Sequence, residues 1–157
     1  MTSKNKKNIC ILLLIFIAIT SYFLWLSNRA VEIIAVHQDY NFSSVLVKNF
    51  PLTDKGKINW WLENRDMLEA KFNIPKHAPD GSFTIIFWDF GDGYKEEGKY
   101  DRLCFNDMKT DKNCIEKEKY MTIYKFNNEE PFFSFNGSRY LLGESNKIIK
   151  MKQDDKS

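Results

Sequence analysis

The chain has 157 residues, of which 43% are hydrophobic and 28% are charged, and it contains two histidines and three cysteines. Its 23 basic and 21 acidic residues give a formal net charge of +2, but three of the lysines lie within the first seven residues. The remainder carries 20 basic residues against 21 acidic ones. A nearly neutral body with interspersed charges excludes the usual electrostatic basis for binding nucleic acid.

An apolar segment lies close to the amino terminus. Residues 9–26 contain no charged side chain, and a helix of that length spans about 27 Å, close to the roughly 30 Å hydrocarbon core of a bilayer. Lysines precede the segment, whereas only Arg29 follows it closely, so the distribution of positive charge places the amino terminus in the cytoplasm. The sequence therefore predicts a cytoplasmic tail at 1–8, a transmembrane helix at 9–26 and a domain outside the cytoplasm at 27–157.

A cleaved signal peptide is the alternative interpretation of the same segment. Cleavage requires small residues after the apolar run, and the bulky Trp25 and the polar Asn28 occupy the obvious sites. The run is also longer than the roughly 7–15 apolar residues of a signal peptide. These features favour an uncleaved membrane anchor, with cleavage kept as the open alternative.

Two strands and one amphipathic helix are predicted after the span. The segments 31–36 and 44–50 are rich in β-branched residues, which favours strands. Thr53 or Asp54 can cap a helix whose apolar residues recur at a spacing of three to four. Pro75 requires this helix to end before it.

The rest of the chain predicts an antiparallel sheet. The segment 82–90 is the most β-prone run and is bounded by glycines. Asn136 and Gly137, between two aromatic-rich runs, predict a hairpin with a type I′ turn, in which both central residues have positive φ. Further strands are predicted at 99–105, 120–126 and 147–151. The fold class is therefore α+β: one N-terminal transmembrane helix, then a small domain with an antiparallel sheet and one main amphipathic helix.

Two of the cysteines suit a disulfide. Cys104 and Cys114 are separated by a polar, turn-forming segment and lie on the side of the membrane that the topology assigns to an oxidising compartment. Metal binding would need more ligands, and a redox pair would favour two intervening residues. If the domain were cytosolic, the two cysteines would be free thiols.

Residues suited to catalysis or metal binding are few. Nothing in the sequence links His37 or His77 to a nucleophile or a ligand cluster, so each is interpreted as a surface or packing histidine. The segment 89–101 is rich in carboxylates, but it lacks the spacing of a calcium loop and contains lysines, which is typical of a hairpin loop. We therefore predict no catalytic residue, no metal site and no cofactor, and interpret the protein as a non-enzyme.

Aromatic residues are abundant, and most are expected to fill the core of a small domain. Trp60 lies off the apolar helix stripe that contains Trp61, so it is expected to be exposed. Trp60 and Tyr94 are the candidate residues of a partner surface, because aromatic side chains dominate protein interfaces.

Several segments together carry a resemblance to a known family. They are YFLWLS, VEIIAVHQ, VLVKNFPLTDKGKINWWLEN and FWDFGDGYKEEGKYDRLCFNDMK, followed by KNC. From about residue 8 to residue 114, and more weakly to residue 152, the chain resembles the enterobacterial putative membrane protein family, a domain of unknown function. The resemblance implies a small inner-membrane protein of Gram-negative bacteria with one amino-terminal span and a periplasmic domain. It implies no established activity, cofactor or catalytic residue.

Three functional hypotheses follow from these observations. The first is a protein-interaction module anchored in the lipid bilayer through one helix, in its specific form an immunity partner of a toxin. The second is a structural accessory of envelope assembly. The third is an enzyme, which would require acidic residues converging in a pocket with perturbed pKa values. The first is favoured, and its protein partner is not identified by the sequence.

Overall fold

The computed structural model describes residues 3–127 and 129–152. The chain divides into two compact units, Met1–Ala30 and Val31–Ser157. The first contains one α-helix, and the second contains one α-helix, a short 3-10 helix at Glu144–Asn146 and two β-sheets.

Helix α1 extends over Ser3–Ser27 and encloses the predicted span. Within Lys6–Leu26, an 18-residue window has a mean hydropathy of 2.6, and none of that window is buried by protein. The hydroxyl of Thr20 donates to the carbonyl oxygen of Phe16 at 2.7 Å, which satisfies this polar group within the helix itself. By length and composition, α1 can therefore cross a bilayer.

The second unit is built on a seven-stranded sheet. In chain order the strands of both sheets are β1 (Glu32–Asp39), β2 (Phe42–Lys48), β3 (Phe83–Asp89), β4 (Lys95–Glu96), β5 (Leu103–Cys104), β6 (Lys112–Ile115), β7 (Lys119–Lys125), β8 (Phe132–Phe135), β9 (Ser138–Leu142) and β10 (Ile148–Lys150). The large sheet has the order β1-β2-β3-β7-β8-β9-β10. The predicted α+β class, with a mostly antiparallel sheet, is confirmed.

One pair in this sheet is parallel, which the predicted antiparallel arrangement did not include. Strands β2 and β3 run in the same direction and are joined through helix α2, Asp54–Phe72. Parallel neighbours need a long crossover connection, and a helix of this length provides it. The other neighbouring pairs in the sheet are antiparallel.

Helix α2 begins and ends with capping residues. Thr53 is the N-cap, and its hydroxyl oxygen accepts a hydrogen bond from the N–H of Gly56 at 3.0 Å. Asn73 closes the helix in the left-handed conformation, with φ 55°, and its N–H donates to the carbonyl oxygen of Glu69. Of the two caps that the sequence allowed, the structure uses Thr53.

Replacing Thr53 with alanine is expected to lower the free energy of unfolding by about 1 kcal/mol, because the N–H of Gly56 loses its acceptor. Chemical denaturation of the full-length protein in detergent, followed by far-UV circular dichroism, measures the change. Thr53→Ser keeps the acceptor oxygen and should preserve most of the stability. Equal losses in both variants would contradict the capping role.

The main core lies between α2 and one face of the large sheet. Ile58, Trp61 and Leu68 are the buried apolar residues of α2. Side chains alternate between the two faces along a strand, so every second residue of each central strand meets the helix. The buried strand residues of this core include Val45, Val47, Phe83, Ile85, Phe87, Met121, Ile123, Phe133 and Tyr140.

A smaller sheet, of order β4-β6-β5, covers part of the opposite face. Leu46, Phe105 and Ile115 are buried there, and Trp88 packs beside them. The predicted strand at 99–105 is paired only at Leu103–Cys104, and β6 was not predicted. Strands of two to four residues are too short to carry a periodic hydrophobic signal.

The predicted hairpin around Asn136 and Gly137 is present, since β8 and β9 pair from Phe135 and Ser138 outward. Of the two turn residues only Gly137 has a positive φ, at 81°. The predicted type I′ turn is therefore wrong, because that turn needs positive φ at both positions.

Candidate interaction surfaces

A histidine of the edge strand β1 joins the large sheet to the smaller one. The Nδ1 atom of His37 lies 2.7 Å from a carboxylate oxygen of Asp107, and its Nε2 atom lies 2.7 Å from the hydroxyl oxygen of Tyr94. The imidazole ring stacks on Phe105 with 3.8 Å between the ring centroids. The tautomer with its proton on Nδ1 donates to Asp107 and accepts from Tyr94, which satisfies all three side chains.

This cluster is suited to holding structure and not to proton transfer with a substrate. Both ring nitrogens of His37 are occupied by protein groups, and its side chain is only 10% exposed. Burial, and then the negative charge of Asp107, raise the pKa of the Tyr94 hydroxyl, which keeps it protonated as a donor. His37 is therefore more than the isolated surface or packing residue that the sequence suggested, because its partners lie 57 and 70 positions away.

A groove of about 420 Å³ opens beside this cluster. Its walls are the end of β1, the start of β2 and residues 103–107. The carboxylates of Asp39 and Asp107 line it together with Phe42, whose side chain is half exposed. The groove therefore combines negative charge with an aromatic surface.

The wall formed by residues 103–107 is held by a disulfide. Cys104 on β5 and Cys114 on β6 face each other as direct register partners, with 3.9 Å between their Cα atoms. The predicted pairing of these two cysteines is present in the structure. Because Asp107 lies inside the loop that this bond closes, the disulfide also restrains the carboxylate that contacts His37.

The face of the large sheet opposite α2 is only partly covered by the smaller sheet. Six side chains are in register across this face, one on each strand of the large sheet from β2 to β10. In order they are Phe42, Thr84, Tyr124, Phe132, Leu141 and Ile149, and the five other than Thr84 form an apolar row. At about 4.8 Å between strands, the row is roughly 24 Å long.

Aromatic stacking organises the middle of this row. The ring of Tyr124 stacks on that of Phe132 at 5.2 Å and on that of Phe126 at 6.1 Å. The guanidinium of Arg139 lies 5.9 Å from the Phe132 ring centroid. Within the row, Phe42 is 52% exposed and Ile149 is 47% exposed, and Phe126, which adjoins the row at Tyr124, is 54% exposed. The row therefore presents apolar surface to its surroundings. Contiguous exposed apolar surface of this kind marks interaction sites.

Comparison with protein families agrees with the apolar helix and the domain that follows it. The sequence model of the enterobacterial putative membrane proteins, domain of unknown function 943, matches residues 2–152. The chain belongs to this family. The search of curated proteins and the search of solved structures each found no significant match.

The two residues predicted for a partner surface lie in different places in this family member. Trp60 packs on Phe50 and Phe87, with 5.3 and 5.9 Å between ring centroids, so it is partly buried and not the exposed residue expected. Tyr94 packs in the cluster on the opposite face of the sheet. The structure therefore does not bring Trp60 and Tyr94 together.

The acidic segment of this family member has no converging carboxylates. Asp89 accepts a hydrogen bond from the N–H of Gly91, and Asp101 forms an ion pair with Lys117. Among the described residues, no group of three or more histidine, cysteine or carboxylate side chains could hold a metal ion. The segment forms turns and contains the short strand β4, which pairs with β6. The predicted hairpin loop is therefore wrong, because the strands on either side of the segment, β3 and β5, belong to different sheets.

Tyr120 provides a pH-dependent test of the packing near β7. Burial, and then the charge of Asp89 and a hydrogen bond to it, raise the pKa of Tyr120 to about 12. The unfolded chain loses this proton near pH 10, so the folded state holds more protons between those values and its stability falls as pH rises through that range. Tyr120→Phe removes this contribution, so its stability should decline less than that of the wild type above pH 10. Denaturation curves at pH 8, 10 and 11 test this, and parallel declines would contradict it.

Proposed function

We propose that this protein is a single-pass protein of the bacterial inner membrane, with residues 1–8 in the cytoplasm, 9–26 in the bilayer and 27–157 in the periplasm. Lysines on the amino-terminal side of the apolar helix support this orientation. The disulfide between Cys104 and Cys114 supports it independently, because such bonds form and persist in the periplasm and are rare in the cytosol.

The orientation is tested with a pair of reporters fused after Ser157. A periplasm-dependent phosphatase should be active in this position, and a cytosol-dependent fluorescent protein should be dark. The opposite pattern would contradict the proposal. Mass spectrometry of the mature protein distinguishes a retained anchor from a cleaved one, since cleavage would produce an amino terminus downstream of Trp25.

The function that the geometry supports best is that of a protein-interaction module held at the membrane. The observation that carries it is the apolar row, which stays exposed on the part of the sheet that the smaller sheet leaves uncovered. Monomeric proteins rarely expose contiguous apolar surface without a functional reason, and aromatic side chains supply much of the binding energy at interfaces. A catalytic role has less support, because the ring nitrogens of His37 are already occupied.

Site-specific photo-crosslinking in intact cells tests this function. A photoreactive phenylalanine analogue at position 126 should capture a defined polypeptide, whereas the same analogue at Asn59, on the exposed side of α2, should not. Phe132→Lys should abolish capture from position 126, because it places a charge within the row. Equal capture from positions 59 and 126 would contradict a role for the row.

A more specific form of the proposal is that the partner is a toxin delivered to the periplasm, which this protein neutralises at the membrane. The groove lined by Asp39 and Asp107 favours this form, because its negative charge and concave shape provide a binding surface in addition to the apolar row. Cells that lack the protein should then be sensitive to the captured polypeptide, and expression of the protein should protect them.

The second candidate is a structural accessory of envelope assembly, which acts through the membrane span. The exposed apolar side chains of α1 favour it, since they can pack against other membrane helices. Replacing 9–26 with an unrelated span should abolish this function, whereas it should leave an interaction through the periplasmic domain intact.

A further inference from the structure

Strand β1 is one edge of the large sheet and has β2 as its neighbour on one side only. It is eight residues long. Within the described chain, its backbone makes no backbone hydrogen bond outside the ladder with β2. Its outer side therefore presents a row of donors and acceptors that another strand can use.

The two edges of this sheet differ in how they resist such pairing. Strand β10, at the other edge, has only three residues, and Lys147 and Lys150 flank or occupy it. Short length and lysine are devices that block edge pairing. Strand β1 contains neither proline nor lysine, and its one irregularity is the shift in register between Ile33 and Ala35. The β1 edge is thus the accessible one.

Charge at the β1 edge restricts what can pair with it. Glu32 begins the strand and Asp39 ends it, and both are exposed. Antiparallel pairing with a second copy of β1 would set Glu32 of one chain against Asp39 of the other, and parallel pairing in register would set each carboxylate against its equivalent. Like charges directly opposite are destabilising, so the edge disfavours self-association and favours a strand with basic ends.

The groove beside His37 lies at the end of this same edge. Asp39 and Asp107 line it, and the side chain of Asp107 is 51% exposed. The exposed ring of Phe42 provides an aromatic wall, whereas Phe105 is covered by the His37 ring. A lysine or arginine side chain at this position would gain both the carboxylates and the Phe42 ring face.

We propose that β1 docks an extended segment of a protein partner by strand addition, and that the segment carries basic side chains at its ends, one of which enters the groove. This inference rests on the proposed interaction function. It uses the β1 edge and the groove, which share only Phe42 with the apolar row. Backbone hydrogen bonds to β1 supply affinity, and the charges at Glu32, Asp39 and Asp107 select the segment.

Three synthetic peptides test the proposal with the full-length protein in lipid nanodiscs. Each is about nine residues long, enough to pair with the whole edge, and alternates valine with threonine between two charged ends. The first has lysine at both ends, the second has glutamate, and the third is the lysine peptide methylated on consecutive central backbone nitrogens. Fluorescence anisotropy should show the first binding at least about tenfold more tightly than either of the others.

Amide NMR shifts locate the contact. The amides of β1 should move on addition of the lysine peptide, whereas those of β10 should not. Asp39→Lys should reverse the preference between the lysine and glutamate peptides, and Asp39→Asn should weaken it. Asp66→Lys makes the same charge change on α2, where the side chain is 96% exposed, and should leave the preference unchanged. Native fold of each variant is checked by the dispersion of its amide spectrum.

The outcomes separate this inference from the proposed function. Equal binding of the methylated peptide would show that the contact is not a strand pair, and equal binding of the glutamate peptide would show that the carboxylates do not select. Strand addition is wrong if either control peptide binds as well as the lysine peptide, or if no peptide binds. The interaction function still stands in that case, provided that a partner is captured from position 126. If capture from position 126 fails as well, both are wrong.

Discussion

Replacing Phe87 with alanine is expected to lower the free energy of unfolding by about 3–5 kcal/mol, the range for removing a large aromatic side chain from a packed core. Phe87 lies in the central strand β3 and is 0% exposed. Its ring stacks on Phe50 at 5.1 Å and meets the edge of Trp60 at 5.9 Å. The substitution removes these contacts and leaves a cavity beneath α2.

Chemical denaturation of the full-length protein in detergent, followed by tryptophan fluorescence, measures this effect. The control is Phe126→Ala, which removes the same side chain from an exposed position and should change stability by no more than about 0.5 kcal/mol. Phe87→Leu retains much of the volume and should fall between the two. Similar losses at positions 87 and 126 would contradict the placement of Phe87 in the core.

The elements that could be predicted from the sequence are those with a strong local pattern. Helix α2 has apolar residues at helical spacing, a capping residue at Thr53 and a proline at position 75 beyond its end. The central strands β3 and β7 are long and rich in β-branched and aromatic residues. In each case the buried pattern and the local propensity agree, so tertiary contacts did not override either of them.

The elements that were missed depend on contacts between distant parts of the chain. Strands β4 and β6 were not predicted, and of the predicted strand at 99–105 only β5 is paired. These strands have two to four residues each, and their pairing is supported by burial against the large sheet and by the disulfide. The parallel pairing of β2 with β3 follows from the crossover through α2, which sequence order alone permits but does not require. Strand order and direction are properties of the assembled sheet.

The candidate surfaces show the same limitation. Tyr94 was selected only as an aromatic residue, and neither its contact with His37 nor the contact of His37 with Asp107 has any local signal. The apolar row combines residues from five strands, so it becomes visible only when the register across the sheet is known. Trp60 was expected to be exposed because it lies off the stripe of Trp61, but Phe50 covers it from outside the helix.

Removing the disulfide, by Cys104→Ser together with Cys114→Ser, is expected to lower the free energy of unfolding by about 3 kcal/mol. The bond joins two residues that are 10 positions apart in the sequence. In the chain-entropy model, opening a loop of about this size increases the entropy of the unfolded chain, and the gain in entropy corresponds to about 3 kcal/mol of lost stability. The loop contains Asp107, so the contact with His37 should also become weaker. A change in the NMR chemical shift of the His37 ring nitrogen Nδ1 would report this second effect.

The third cysteine provides the matched control, since Cys10 is free and lies in α1. Cys10→Ser should leave the stability unchanged, whereas adding a reductant to the wild type should reproduce the loss seen in the double variant and have no further effect on that variant. A reductant that destabilised all three proteins equally would contradict the disulfide as the cause.

The same bond connects stability to location. A chain retained in the reducing cytosol should lack the bond and show the lower stability of the double variant, because the bond persists only in an oxidising compartment.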